Sequence, residues 1–134
     1  DVENEMLPWC EKNQTGFLAY SAMQSGLLTG KFTHEYLLQL PETDWRRRDS
    51  WFKDPLLGKV QKFFLRLGPM MERSGYSPAA MAVAWVLRKS AVTSAIVGAR
   101  TVEQAERLSE SSRIVLSDSD LTEIDSVFRD IFEE

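Results

Sequence analysis

The sequence has a single cysteine, Cys10, and a single histidine, His34. One cysteine cannot form an internal disulfide or a cysteine-rich metal site, and we expect no metal ion in this chain. We predict Cys10 to lie in the core and His34 to lie at the surface. Such sparse cysteine usage fits a reducing compartment, so the predicted location is cytoplasmic.

The chain also lacks a long apolar run and an excess of positive charge. No apolar stretch approaches the roughly 18 residues of a membrane span, and the acidic amino terminus is unlike a signal peptide. The net charge of −4 argues against binding to nucleic acid or a membrane surface. The 134 residues suffice for one domain with a hydrophobic core. Because the sequence begins with Asp1 rather than methionine, we expect a processed or excerpted segment.

One segment combines a strand with a glycine-containing loop. The apolar run 17–20 predicts a strand buried on both faces, as in a parallel sheet. Small residues and glycines follow, and the segment ends at Lys31. In parallel α/β proteins such loops meet ligands, because glycine lets backbone amides approach a phosphate and lysine supplies a positive charge. The alternative interpretation is an ordinary strand followed by a turn.

A second segment repeats this arrangement. The run 92–97 predicts a strand that leads through Gly98 and Arg100 into a helix. Thr101 and Gln104 have the spacing of a capping box, in which Gln104 reaches back to the start of the helix. A glycine turn before a helix amino terminus favours anions, and Arg100 adds positive charge. The alternative is simply a well-capped helix.

Apolar spacing predicts helices in the remainder of the chain. They are expected over 4–13, 34–40, 56–73, 78–89 and from Ser117 to about Ile131. Gly68 and Pro69 should kink or interrupt the third of these helices. The helix after Pro78 is apolar almost all round and must be covered on several sides.

The predicted loop over 42–54 contains three adjacent arginines, Arg46, Arg47 and Arg48. Two interpretations remain open. The arginines form a solvated loop, or one of them folds over a bound phosphate while Trp45 or Trp51 anchors the loop.

Two strands separated by helices indicate βα units of a parallel sheet, and the fold class is α/β. Two strands alone cannot form such a sheet, because each needs neighbours on both edges. The sequence therefore predicts part of a larger structure.

Four segments, in this order, resemble conserved motifs of one family. They are Glu5-Met6-Leu7-Pro8-Trp9-Cys10, the stretch 19–31 (AYSAMQSGLLTGK), the stretch 82–87 (AVAWVL), and the stretch 94–104 (SAIVGARTVEQ). Together they resemble the aldo-keto reductase family, in the later half of its (β/α)8 barrel. The resemblance implies a partial TIM barrel with the last two βα units and the carboxyl-terminal helix. Residues 1–134 would form the carboxyl-terminal portion of an NADP-dependent oxidoreductase domain. The residues around Leu40-Pro41-Glu42 and Trp45-Arg46 also resemble a bacterial-type branch that uses NADPH.

The resemblance implies roles for individual residues in binding NADP(H). Tyr20 would stack on the nicotinamide ring. The residues that would cradle the pyrophosphate are Ser21, Met23, Gly26, Leu28 and Lys31. Gly98, Arg100 and Gln104 would hold the adenosine end, with Arg100 near the 2′-phosphate.

The sequence departs from the family pattern at several positions. Ala22 replaces the proline of the first loop, and Arg107 and Leu108 replace the usual glutamate and asparagine of the adenine-binding helix. No residue matches the family's catalytic aspartate, tyrosine, lysine and histidine, which lie on early strands. We therefore expect no catalytic residue in this segment and no activity of the segment alone.

The first functional hypothesis is the cofactor-binding part of an NAD(P)H-dependent aldo-keto reductase. The complete enzyme would reduce a small aldehyde or ketone by hydride transfer, with the missing amino-terminal half-barrel as partner. A second hypothesis is a catalytically inactive half-barrel that acts as a nucleotide-binding or protein-interaction module. A third is a helical regulatory domain without a ligand.

Overall fold

The computed structural model describes residues 2–133. Within this range the α-helices are α1 (Leu7–Lys12), α2 (His34–Gln39), α3 (Leu56–Ser74), α4 (Pro78–Leu87), α5 (Val102–Glu110) and α6 (Asp118–Phe132). The strands are β1 (Phe17–Ala19) and β2 (Val92–Ala95). A π-helical turn, Val2–Met6, precedes α1, and 3-10 turns lie at Gln24–Thr29, Trp45–Arg47, Ser50–Phe52 and Ser111–Arg113. The predicted elements and their order are confirmed.

The two strands pair in parallel, as expected for βα units. Leu18 pairs with Ser94 and Ala19 with Ala95, and the register is irregular between Phe17 and Leu18. A Cβ on Gly16, just before β1, would collide with the Thr93 side chain, so a larger residue there would force that side chain to move.

The prediction that β1 is buried on both faces is wrong for the described residues. In β1 only Ala19 is buried, whereas Leu18 is 59% exposed. In β2, Thr93 and Ser94 are exposed. The apolar run expected of an inner strand is present, but residues 2–133 provide no layer that covers Leu18.

The main core is formed chiefly by α3, α4 and α6. Its buried members include Leu57, Val60, Phe64, Leu67, Met70, Met81, Ala84, Ile124, Val127 and Ile131. No residue from 78 to 88 is exposed, as predicted for a helix that is apolar all round. Gly75 ends α3 with a φ of 71°, and Ser77 caps α4 by accepting a hydrogen bond from the Ala80 amide.

Helix α3 runs without interruption past Gly68 and Pro69, so the predicted interruption does not occur. Pro69 lies on the exposed side of the helix, and so does Leu65, four residues earlier. The Leu65 carbonyl has lost its usual donor to proline, and on this side water can replace that donor.

An ion pair joins the amino-terminal turn to the carboxyl-terminal end of α4. Arg88 donates to Glu3 at 2.7 Å, and its guanidinium lies 3.5 Å from the centre of the Trp85 ring. Burial disfavours the Glu3 carboxylate, but hydrogen bonds from Arg88 and Lys89 outweigh it and lower the pKa of Glu3. This contact holds α1 beside the sheet, where Cys10 is buried as predicted.

The last helix begins as the sequence predicts. Ser117 and Asp120 form a complete capping box, and the hydrogen bonds from Ser117 lower the pKa of Asp120. Ile124, Val127 and Ile131 are buried. Phe128 is an exception to the predicted apolar face, because it is 45% exposed and stacks on Phe132 at the surface.

Candidate functional site

The two predicted loops leave the same edge of the sheet. Both parallel strands end there, at Ala19 and Ala95, which are register partners. The Ile96 amide donates to the Ala19 carbonyl oxygen at 2.7 Å. This hydrogen bond holds the two segments that follow the strands side by side. The structure therefore brings together the starts of the loops that end in Lys31 and begin at Gly98.

The first loop has an unusual backbone. Three non-glycine residues have positive φ angles: 56° at Ser21, 44° at Gln24 and 54° at Ser25. Gly26 and Gly30 follow with φ values of 95° and 72°. Left-handed conformations at non-glycine residues are costly and are often found at ligand-binding loops.

Some of the predicted phosphate-binding amides are engaged within this loop. The amides of Gly26 and Leu28 both donate to the Met23 carbonyl, at 3.0 and 3.2 Å. The Leu28 side chain packs against the main core. In this conformation Met23, Gly26 and Leu28 shape the loop through these internal bonds.

The glycines of the two loops differ in what they require. A Cβ on Gly26 would lie 3.2 Å from the Phe32 ring, and a Cβ on Gly30 would lie 2.9 Å from Pro78. A Cβ on Gly98, by contrast, would have no neighbouring atom within 4 Å. Turn geometry and packing explain the first two glycines, whereas the described chain leaves Gly98 free for the close approach of another group.

The remaining predicted binding residues offer their side chains to solvent. Tyr20 is 79% exposed directly after β1. Ser21, Lys31 and Arg100 are also exposed. No ion pair formed within residues 2–133 includes Lys31. One aromatic ring, one hydroxyl and two cationic groups are thus accessible on the two loops.

The start of α5 is capped in a slightly different way from the prediction. Thr101 accepts a hydrogen bond from the Gln104 amide, as a capping box requires. The Gln104 side chain reaches back one residue further than expected and accepts from the Arg100 amide at 2.8 Å. Gln104 therefore fixes the backbone that carries Arg100.

All three loop arginines donate to groups of the loop itself; Arg48 is exposed, as the solvated-loop interpretation expects, whereas Arg46 and Arg47 are half-buried. Arg46 makes a two-pronged contact with Asp44 at 2.9 and 2.6 Å, with both side chains only 15% exposed. Arg47 donates to the Leu40 carbonyl and Arg48 to the Glu42 carbonyl. Their role in this structure is to hold segment 40–48 in place, since guanidinium groups bond well to carboxylate and carbonyl oxygens.

Asp44, the partner of Arg46, was not among the residues predicted from the sequence. The hydrogen bonds from Arg46 lower the pKa of the Asp44 carboxyl to about 2, and the positive charge of Arg100 contributes to the same shift. The available signal was the Asp-x-Arg spacing before a turn, in which Asp44 also caps the Arg46 amide. Asp44 thus links segment 40–48 electrostatically to Arg100, just before α5.

His34 lies at the surface, as predicted, where its ring nitrogen is 3.0 Å from a carboxylate oxygen of Asp54. Within residues 2–133 no three His, Cys, Asp or Glu side chains are placed to hold a metal ion. Among the described helices, none combines the length and apolar character needed to cross a bilayer.

A family model described as "Aldo/keto reductase family" matches residues 1–129. The chain belongs to the aldo-keto reductase family. Its parallel strand pair and flanking helices are correspondingly part of that family's TIM barrel, as the resemblance implied.

Curated relatives of this aldo-keto reductase chain match it over only part of their length. It is 32% identical to the NADH-specific methylglyoxal reductase of Escherichia coli over 90% of the chain and 36% of that protein. It is 30% identical to aldo-keto reductase YhdN of Bacillus subtilis over 100% of the chain and 40% of that protein. The chain thus spans well under half the length of these relatives.

A solved structure matches the fold closely. The glycerol dehydrogenase of Gluconobacter oxydans superposes with a TM-score of 0.86 and 30% identity. The match covers 99% of this aldo-keto reductase chain and 40% of the dehydrogenase.

Proposed function

We propose that residues 1–134 are the carboxyl-terminal, cofactor-binding portion of an NAD(P)H-dependent aldo-keto reductase. When bound, the cofactor supplies the hydride that reduces an aldehyde or ketone. The observation that carries this proposal is the common sheet edge from which both loops leave, fixed by the bond between Ile96 and Ala19. In barrels of this kind, ligands bind at the carboxyl ends of the strands.

The residues on the two loops fit a dinucleotide. The exposed Tyr20 ring can stack on the nicotinamide, and the Ser21 hydroxyl and Lys31 ammonium can bind the pyrophosphate. At the adenosine end, Gly98 leaves space for close approach, and Gln104 holds the Arg100 backbone. Met23, Gly26 and Leu28 would maintain the shape of the first loop, as their internal bonds and packing indicate.

We further propose that additional barrel strands complete the site. Leu18 and Ile96 lie on or directly after the two strands, and each is more than half exposed. Burial of such apolar groups is favourable, and each strand of a two-stranded sheet has an unpaired edge. These strands would also bring the general acid for the carbonyl oxygen, since no residue here matches the family's catalytic set.

The complete protein is therefore proposed to be a cytoplasmic enzyme that acts on a small carbonyl compound and does not bind nucleic acid. Its carbonyl substrate would be selected mainly by the rest of the barrel. The NADP-dependent form implied by the sequence is one of two possible cofactor preferences, since the Escherichia coli relative is named NADH-specific.

The test is a titration of NADH and of NADPH into the full-length protein that carries this chain, followed by cofactor fluorescence. We expect binding at one site, and Lys31→Ala should weaken it about tenfold or more, because a charged hydrogen bond to phosphate is lost. Lys12→Ala is the matched control. Lys12 is also exposed, but it lies at the end of α1, before β1 begins, and so belongs to the opposite edge of the sheet.

Equal effects of the two lysine substitutions would contradict the proposal. The second candidate, an inactive nucleotide-binding module, is favoured by the same loops together with the unmatched catalytic set. It predicts that the full-length protein binds NADH or NADPH but does not oxidise either in the presence of aldehydes such as methylglyoxal.

A further inference from the structure

An apolar groove with a volume of about 310 Å³ lies between the first loop and helix α3. Leu27 and Phe32 line it from the loop and the residue just after it. Val60, Phe64 and Leu65 line it from α3. The first four of these residues are buried, so the groove reaches the main core, whereas Leu65 is 78% exposed and belongs to the rim. Apolar clefts of several hundred Å³ are typical of small-molecule sites.

The polar groups of the groove leave one acceptor available. Gly30, Thr33 and Gln61 complete the lining, and no lining residue carries a charge. The Thr33 hydroxyl already accepts a hydrogen bond from the Tyr36 amide. The Gln61 amide nitrogen donates to the Phe32 carbonyl oxygen at 3.1 Å, which fixes the Gln61 side chain. Its side-chain oxygen accepts no hydrogen bond from residues 2–133 and can accept one from a ligand.

The groove is distinct from the proposed dinucleotide site. No residue that lines it is among those predicted to bind the cofactor. The first loop contributes to both places through different residues. Gly26, Leu28 and Lys31 belong to the predicted cofactor set, whereas Leu27 and Gly30 line the groove.

We infer that this groove binds a small neutral aromatic molecule that carries one hydrogen-bond donor, such as a phenol. The rings of Phe32 and Phe64 offer aromatic partners. The uncharged lining disfavours an ionised ligand, because a charge loses its hydration there without gaining a partner. The side-chain oxygen of Gln61 accepts the hydroxyl hydrogen. This inference goes beyond the proposed function and does not depend on it.

The experiment is a fluorine NMR titration of two probes, para-fluorophenol and fluorobenzene, into the full-length protein. The probes share the ring and the fluorine atom and differ in the hydroxyl group. We expect saturable binding of para-fluorophenol with a dissociation constant in the millimolar range, the scale for so few atoms. Fluorobenzene should bind about twofold to tenfold more weakly, since it lacks one hydrogen bond.

Two variants test the groove, and a third serves as the matched control. Leu65→Arg should weaken both probes about threefold or more, because an apolar contact at the rim is replaced by a charge. Leu38→Arg is the control, since Leu38 is 71% exposed on α2 and lies outside the lining. It should leave both affinities nearly unchanged.

Gln61→Met removes the acceptor while keeping an unbranched side chain of similar length. It should weaken para-fluorophenol to the level of fluorobenzene. Because this substitution also removes the hydrogen bond to Phe32, an unchanged fluorobenzene affinity confirms that the shape of the groove is kept.

The inference would be overturned by the absence of saturable para-fluorophenol binding, as expected if the rest of the protein covers the groove. Equal affinities for the two probes in the parent protein would overturn it as well. So would equal losses in Leu65→Arg and Leu38→Arg, which would indicate unspecific binding. None of these results bears on NADH or NADPH binding, so the proposed function is tested separately.

Discussion

The backbone amide of Ile96 and the carbonyl oxygen of Ala19 are 2.7 Å apart, directly beyond the paired ends of the two strands. This bond continues the parallel pairing by one step. It explains why two loops separated by about half the sequence leave the sheet side by side. The shared position of the two loops depends on this geometry.

Two leucines of α3 should differ strongly in how much they contribute to the free energy of unfolding. Leu67 is 0% exposed and Leu65 is 78% exposed, although both lie in the middle of α3. Leu67→Ala should lower the free energy of unfolding by about 2–5 kcal/mol, because it removes buried methyl groups and leaves a cavity.

Leu65→Ala is the control, and it should change that free energy by no more than about 0.5 kcal/mol. Urea denaturation of the full-length protein, followed by circular dichroism, compares the two. Similar losses in both variants would show that Leu65 is covered in the intact protein.

Substitution of Gly30 should lower the folding stability, whereas substitution of Gly98 should leave it nearly unchanged. Gly30→Ala combines a φ of 72° with a Cβ 2.9 Å from Pro78, so it should cost about 1–3 kcal/mol of folding stability. The methyl group added by Gly98→Ala has no neighbour within 4 Å, so this substitution should leave the thermal midpoint nearly unchanged. Thermal unfolding of the two variants without cofactor measures the difference. A large loss of stability in Gly98→Ala would mean that the rest of the protein packs on Gly98.

The pair of Asp44 and Arg46 predicts a pH dependence of stability. The pKa of Asp44 is lowered from its usual 3.8 to about 2 in the folded chain, chiefly by the hydrogen bonds from Arg46. Between these two pH values the unfolded chain binds more protons, so the stabilisation is present above pH 4 and is lost as the pH falls toward 2.

This loss can be measured as the urea midpoint of unfolding at a series of pH values from 5 to 2. Arg46→Leu should flatten the Asp44 contribution, since the carboxyl then titrates closer to its usual range. Identical pH profiles for the parent protein and Arg46→Leu would contradict the assignment.

Local chemistry made much of this fold predictable from the sequence. Ser77 and Pro78 specify the start of α4, and Ser117 with Asp120 specifies that of α6, because each uses side chains within one turn of the helix. The parallel pairing followed from two apolar runs separated by helices.

Tertiary context decided one feature that was predicted wrongly, and irregular local backbone decided two others. The exposure of Leu18 depends on which layers cover the sheet, and this cannot be read from the strand's own residues. The pairing of Arg46 with Asp44 depends on an irregular turn, where no periodic pattern guides a prediction. Gln104 caps Arg100 rather than Thr101 because of the local path of the chain before α5.

The most direct test of the shared dinucleotide site measures the dissociation constant and stoichiometry of NADH for the full-length protein and for Lys31→Ala and Gly98→Val. A valine at Gly98 fills the space that the structure leaves open, while Lys31 lies on the other loop. We predict one NADH per chain, with affinity about tenfold or more weaker in each variant. Unchanged affinity in either variant would contradict the claim that both loops bind the same dinucleotide.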